Sequence, residues 1–311
     1  MVSQRDAYAE TLVALGAERK DVVVLSADLS SSVRTSVFAD HFPERHFNIG
    51  IAEQNMMGIA AGLAASGKTV FASTFAIFGT GRVYDQVRQS IAYPRMKVNI
   101  VVTHAGITVG GDGATHQMIE DIALMRGLPN MTVIVPVDAY ETKKAIRAAV
   151  SYDGPTYIRL GRSEVPLVTQ ENDPFEIGKA ATMVDGKDVT LVGTGIMVAK
   201  CIEASDELRK HGVEARVINM STIKPLDVKT LVKAARETGG VVTAEEHSVS
   251  VGMGSAVALA LGENVHVPMR RVGIEDTFGE SGESEELMEK YGLTVESIVD
   301  AAHDVLRRKG R

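Results

Sequence analysis

Short runs of β-branched and aliphatic residues recur along the whole chain, most of them followed by a longer stretch at helical spacing. This alternation constrains the fold more than any other feature. Asp21-Val-Val-Val-Leu-Ser-Ala27, Met96 to Thr103, Met131 to Pro136 and Thr156-Tyr-Ile-Arg-Leu160 read as strands of a buried parallel sheet. Val189 to Val192, Ala215 to Met220, Val241 to Ala244 and Pro268 to Ile274 repeat the pattern. Between Ser163 and Lys187 the periodicity fades and Pro166, Asp173-Pro174 and Asp185-Gly186 appear, which marks a boundary. At 311 residues the chain is about twice the usual domain size. The expectation is an α/β protein of two doubly wound domains, residues 1–165 and 188–311, joined by a linker over 166–187.

Charge narrows the function. A net charge of −7 with scattered basic residues argues against a nucleic-acid partner or an anionic membrane surface, because phosphate arrays need clustered Lys and Arg. The single cysteine, Cys201, permits no internal disulfide and no multi-Cys zinc site, and it reads as a small hydrophobe in a reducing compartment. The N-terminus opens directly into an amphipathic pattern and no apolar run approaches the length of a membrane span, so a cytoplasmic protein is expected. Gly193-Thr-Gly195-Ile-Met-Val198 fails the dinucleotide fingerprint, since Val198 stands where the third glycine is needed.

Four stretches carry chemistry. Asp28-Leu-Ser-Ser-Ser32 places hydroxyls just past a strand's carboxyl end, where open α/β sheets bind ligands; an ordinary polar loop is the plainer reading. From Met56 to Ala65 every residue is apolar or Gly, which reads as a tightly packed buried helix, with Glu53 at its first turn. That carboxylate either caps the helix or is held dry with a raised pKa. Phe75 and Phe78, three apart beside glycines, form core or a flat wall for a planar ring. The loop His104-Ala-Gly-Ile-Thr-Val-Gly-Gly-Asp112-Gly-Ala-Thr-His116-Gln117 has six Gly or Ala positions, so its backbone can bend closely around something while two His and one Asp face it. Its spacing matches no standard metal motif. Arg162, after the strand ending at Leu160, is a surface cation or a phosphate ligand.

Together these stretches resemble the C-terminal half of transketolase, a thiamine diphosphate enzyme, over essentially the whole chain. Gly50-Ile-Ala-Glu53-Gln-Asn-Met56 is similar to the segment bearing the family's cofactor-activating glutamate. Ser73-Thr-Phe75-Ala-Ile-Phe78 resembles the aromatic wall of its aminopyrimidine pocket, and Gly111-Asp112-Gly-Ala-Thr-His116-Gln117 its substrate loop. Thr222-Ile-Lys-Pro-Leu-Asp227 and Thr243-Ala-Glu-Glu-His247 look like the family's C-terminal domain. The resemblance implies a pyrimidine-binding domain followed by a transketolase C-terminal-like domain. It implies Glu53 on the pyrimidine nitrogen, Phe75 and Phe78 packed on the ring, and Asp28 near the cofactor. Arg5, Ser32, His104 and Arg162 would bind the sugar phosphate, Asp112 a sugar hydroxyl, and His116 the donor's oxygens, with His104 and His116 also in the catalytic set.

The family's diphosphate-binding domain carries paired asparagines that hold magnesium, and this sequence contains no Asn-Asn. The resemblance therefore implies a split transketolase in which a separate N-terminal subunit supplies the diphosphate and Mg2+ site, this chain holding no metal, with self-association by analogy. Two relatives compete. Deoxyxylulose-phosphate synthase shares the Asp-Gly-x-Thr-His-Gln loop but lacks a His at the position of His104. The β subunit of 2-oxo acid dehydrogenases shares the size and the separate partner but lacks the aspartate-containing loop. A non-catalytic partner subunit, and a metal-dependent hydrolase built on His104, Asp112 and His116, are the readings from other classes.

Overall fold

The computed structural model describes residues 1–309. The first half runs α1 (Gln4–Glu18), β1 (Val22–Ser26), α2 (Ser36–His41), β2 (His46–Asn48), α3 (Glu53–Ala65) and β3 (Thr69–Phe75). Two short turns, α4 (Ala76–Gly79) and α5 (Tyr84–Gln86), lead to β4 (Val98–Thr103), α6 (Asp121–Gly127), β5 (Thr132–Ile134), α7 (Ala139–Ser151) and β6 (Thr156–Arg159). The second half runs β7 (Ala181–Val184), β8 (Val189–Gly193), α8 (Met197–Lys210), β9 (Ala215–Asn219), β10 (Thr222–Lys224), α9 (Val228–Thr238) and β11 (Val241–Ser248). It closes with α10 (Met253–Asn264), β12 (Met269–Ile274), α11 (Ser284–Lys290) and α12 (Val295–Lys309). None of the described helices is long and apolar enough to cross a membrane.

The β-branched runs form strands because both faces of a parallel sheet are covered by helices; β1, β3, β4, β5, β6 and β8 are buried at every position. The first sheet has seven strands in the order β10-β5-β6-β4-β3-β1-β2, and the second five in the order β12-β11-β8-β9-β7. Both are parallel except at one edge: β10 is antiparallel to β5, and β7 is antiparallel to β9. Residues 166–187, expected as a linker, thus end in a strand of the second sheet. Thr222-Ile-Lys224 returns to the first.

Side-chain caps set several helix starts. Ser3 accepts from the Asp6 N–H at 3.2 Å and Asp138 from that of Glu141 at 3.0 Å. Asp227 caps α9 and also accepts from the Ala180 N–H, tying β7 to that helix start. One hydrophobic cluster lies between α1, α7 and the first sheet, built on Tyr8, Leu12, Phe71, Val101 and Ile146. A second runs from Met56, Ile100 and Met118 on the other face into Ile218, Leu231 and Val257, so the halves share a core. A third packs α8 and α12 onto the second sheet.

Two local expectations are corrected. α3 is not enclosed: Met56, Met57, Ala60 and Ala61 are buried, whereas Gln54, Asn55, Gly58 and Gly62 are exposed. Its all-round apolar character therefore does not arise from burial within this chain. The stretch Val83 to Ala92, which reads from its sequence as one helix, is a 3₁₀ turn, then α5, then a wide π-helical segment over Val87–Ala92. Bonds from the Tyr93 N–H to the Arg88 carbonyl and from Met96 N–H to Ile91, both five residues back, hold that widening while Val87, Ile91 and Ala92 stay in the core.

Candidate active site

The carboxyl ends of β1, β3, β4 and β6 converge on one region, as parallel strands of a doubly wound sheet do. β3 delivers Phe75, and the turn after it delivers Phe78; their rings are nearly parallel, 17° apart, with centroids 6.0 Å apart. β4 delivers His104, whose ring stacks on Phe75 at 3.8 Å. The 104–117 loop returns His116 edge-on to Phe78 at 5.5 Å and to Phe75 at 6.5 Å. Asp28 after β1 and His104 after β4 both sit at φ 58°, the left-handed region that disfavours side chains. Such strain concentrates at sites where backbone direction is dictated by function.

Glu53 is the first residue of α3 and is buried, at 3% exposure. Its carboxylate is not alone: Arg82 Nη1 lies 3.1 Å from each oxygen. The same guanidinium lies 4.2 Å from the centre of the Phe78 ring, so Glu53, Arg82 and the aromatic wall form one continuous structure. Sequence reading missed Arg82. The available signal was its position four residues after Phe78, the spacing at which side chains meet on a turn.

A cationic corner adjoins the wall. Arg5, at the start of α1, donates to the Ser32 carbonyl and to the Arg162 carbonyl, both at 3.0 Å, and Arg162 Nη1 donates to the Val109 carbonyl. Among the described residues neither Arg5 nor Arg162 has a carboxylate at ion-pair distance. Burial, then the neighbouring Arg34, holds the Arg5 pKa below its usual value, Arg162 adding to the same push. His104 faces this corner: burial first, then Arg5, Arg162 and His116, lowers its pKa to about 3, and its Nδ1 shares a 2.8 Å hydrogen bond with Thr103 Oγ1. Unpaired cations beside a neutral imidazole suit an anion.

The structure thus brings together Glu53, Phe75, Phe78, His104 and His116, and next to them Arg5, Ser32 and Arg162. Two candidates, Asp28 and Asp112, are joined to none of these by a hydrogen bond or ion pair among the described residues. Asp28 is exposed and, among the described residues, bonds only to Asn48, which accepts from the Asp28 N–H at 2.9 Å. Asp112 is exposed and makes no hydrogen bond to another candidate residue. Among the described residues no three His, Cys, Asp or Glu side chains are gathered as metal ligands, and His104, Asp112 and His116 do not form such a set. Cys201 is buried, its thiol pushed up to about 12 by burial. That is the opposite of an activated nucleophile.

The glycines of the 104–117 loop make room for the second half of the chain. A Cβ on Gly106, at φ 80°, would meet Glu246 Oε1 at 2.1 Å. One on Gly113 would meet Ser281 Oγ at 2.5 Å, and Gln117 donates to the Glu280 carbonyl at 2.8 Å. Glu246 Oε1 accepts from the Thr108 N–H at 2.8 Å and so fixes the loop. Behind it lies a buried polar network that sequence reading also missed. Arg159 Nε donates to Asp121 at 2.8 Å and its Nη2 to the Glu246 carbonyl at 2.9 Å, and Tyr157 donates to Asp121 at 2.6 Å. Its signal was Glu245-Glu246-His247, three ionisable residues at the carboxyl end of a strand core.

Comparison with known proteins gives a consistent picture. Residues 1–168 match the family described as transketolase, pyrimidine binding domain, and residues 178–298 match transketolase, C-terminal domain. The chain is 45% identical over 305 residues to a 6-deoxy-6-sulfo-D-fructose transketolase subunit from a Clostridium species (strain MSTE9), covering 98% of this chain and 95% of that one. It is 41% identical over 310 residues to an apulose-4-phosphate transketolase subunit of Phocaeicola vulgatus, covering 99% of each. Among solved structures it is similar to a split-gene transketolase described as an inactive β4 tetramer, with 52% identity and a TM-score of 0.94, covering 99% of this chain and 100% of that one.

Proposed function

The chain belongs to the transketolase family, and from that membership we propose that it is one subunit of a split transketolase. In this reading it works in the cytoplasm and transfers a two-carbon ketol unit from a ketose phosphate to an aldose phosphate, with thiamine diphosphate and a second subunit. The observation that carries the reading is the buried Glu53 carboxylate joined through a flat cation, Arg82, to the ring of Phe78. A site that holds a planar hydrogen-bond donor in that position fits the cofactor's aminopyrimidine.

Thiamine diphosphate, when bound, supplies the carbon nucleophile that opens the bond beside the ketose carbonyl. Glu53 would share a proton with the pyrimidine nitrogen, its carboxyl donating to the neutral ring and its carboxylate accepting from the protonated one, in a place from which water is largely excluded. Phe75 and Phe78 would carry the ring, and Asp28 would stand near it. Arg5, Ser32, His104 and Arg162 would bind the phosphate; neither guanidinium has a carboxylate partner among the described residues, which suits a dianion. Asp112 would bind a sugar hydroxyl. His116, edge-on to the wall, would meet the donor's oxygens as the bond breaks.

We assign magnesium, with the diphosphate, to the N-terminal partner subunit, because this sequence lacks the paired asparagines of the family's diphosphate-binding domain. The exposed face of α3 supports a partner there: Gly58 and Gly62 have no neighbour within 4 Å of an added Cβ, and Ile51 beside Glu53 is 77% exposed. Self-association of this chain is part of the same proposal, in line with the β4 tetramer named for the split-gene neighbour.

The testing experiment is turnover of xylulose 5-phosphate with ribose 5-phosphate, thiamine diphosphate and Mg2+, for this chain alone and mixed with the product of the neighbouring reading frame. Activity confined to the mixture is expected; none in either overturns this substrate pair. The second reading takes its substrates from the names of the relatives, a 6-deoxy-6-sulfofructose or apulose 4-phosphate, because the cationic corner recognises a terminal anion and not the carbons between.

A further inference from the structure

Arg82 already makes the two contacts that the cofactor reading assigns to the aminopyrimidine ring. Its Nη1 lies 3.1 Å from both Glu53 oxygens, and its guanidinium lies 4.2 Å from the Phe78 ring centre. The side chain reaches in from an open surface, being 46% exposed where Glu53 is 3%. Its backbone is held separately: the Arg82 carbonyl accepts from Gln54 Nε2 at 3.0 Å, within the 3₁₀ turn Gly81–Val83. The guanidinium can therefore leave without the turn moving.

From this geometry we propose that Arg82 is a resident stand-in for the cofactor ring, holding Glu53 and Phe78 until the side chain swings out and the ring takes its place. The physical reason is the carboxylate. Left empty, the site would hold a buried, uncompensated anion, which is costly; a flat cation with hydrogen-bond donors satisfies it and covers the aromatic face. The same contacts oppose cofactor binding, since they must be broken first. A half-exposed ion pair and a half-exposed cation–π contact together account for about three- to thirtyfold in affinity. The inference rests on the cofactor reading above, and its test separates the two.

Two variants serve: Arg82→Met removes the charge and the plane while keeping an apolar stem, and Arg82→Lys keeps the charge without the plane. In the free full-length chain, carbodiimide and glycine ethyl ester label accessible carboxyls, and peptide mass spectrometry reads the rate at Glu53. Faster labelling in Arg82→Met is expected, and an unchanged rate overturns the stand-in. In the assembled two-subunit protein, calorimetric titration with thiamine diphosphate at fixed Mg2+ should show Arg82→Met half-saturated at about three- to thirtyfold lower concentration, with Arg82→Lys between it and the parent. Equal or weaker binding by Arg82→Met overturns the proposal. Absence of binding by parent and variants alike overturns the cofactor reading instead, while the labelling rate still decides whether Arg82 masks Glu53.

Discussion

The imidazole of His104 lies against the ring of Phe75, centroids 3.8 Å apart and planes 24° apart, at a residue whose backbone is left-handed. Burial and the nearby arginines lower its pKa to about 3, against about 6.5 in an unfolded chain. Between those two values the unfolded chain binds the additional proton. His104 therefore makes stability rise with pH across that window and adds no slope above it. Comparing urea midpoints of the parent and His104→Gln at pH 7.5 and pH 5 should show the balance shifting toward the variant at the lower pH. A difference independent of pH would contradict a neutral buried imidazole.

Glu53→Gln in the reconstituted enzyme should lower turnover by at least about a hundredfold, since under the proposed function it removes the group that shares a proton with the ring. Fold should survive, because the amide is nearly isosteric and Arg82 is half exposed. Near-parental kcat with an unchanged circular dichroism spectrum would sink the role of Glu53.

Replacing Arg162 or Arg5 with Ala should reduce kcat/KM for a phosphorylated acceptor about ten- to a hundredfold, the value of one charge-assisted hydrogen-bond partner. An unphosphorylated acceptor such as glycolaldehyde should be affected much less. Equal losses on both acceptors would remove the cationic corner from phosphate binding.

Gly58→Trp places a large side chain on the exposed face of α3, where an added Cβ meets no neighbour. The free chain should melt within a few degrees of the parent. It should fail to form an active mixture with the second subunit, as read by co-elution in size exclusion and by turnover. Normal co-assembly would move the partner to another surface.

Arg159→Met leaves Asp121 and the Glu246 side chain buried without their cation, Asp121 at 0% and Glu246 at 4% exposure. A loss of about 3–5 kcal/mol is expected in urea unfolding, the usual result of breaking one side of a buried charge pair. A loss under about 1 kcal/mol would show that the pair contributes little to holding the halves together.

The alternating strands were legible because both-sided burial demands uninterrupted aliphatic runs, and Val22–Ser26 and Val189–Gly193 stand out against their polar flanks. The stretches that hold Glu53, Phe75, Phe78, His104 and His116 also stand out in the sequence, by their glycines, paired aromatics and clustered histidines, and the fold brings them together. What sequence does not distinguish is the origin of a demand for small or apolar residues. α3 reads as fully buried, but one of its faces is open in this chain; Gly106 reads as a ligand-hugging glycine, but its hydrogen faces the Glu246 carboxylate. Arg82 looks like any scattered base until tertiary folding aims it at Glu53. Long-range pairs such as Arg159 with Glu246 leave no periodic trace, being 87 residues apart.

β10 lies antiparallel on β5 at the outer edge of the first sheet, yet its residues come from beyond the 166–187 segment, and Lys224 adds a bond to the Arg126 carbonyl at 3.0 Å. The second half is therefore a clasp on the first. Cutting the intervening segment would not release two independent modules, because the freed first half would show the bare backbone of β5, an edge that invites pairing with other chains. The strand thus ties the solubility of one half to the presence of the other. A gene divided at this point would yield a sticky fragment, not a portable domain.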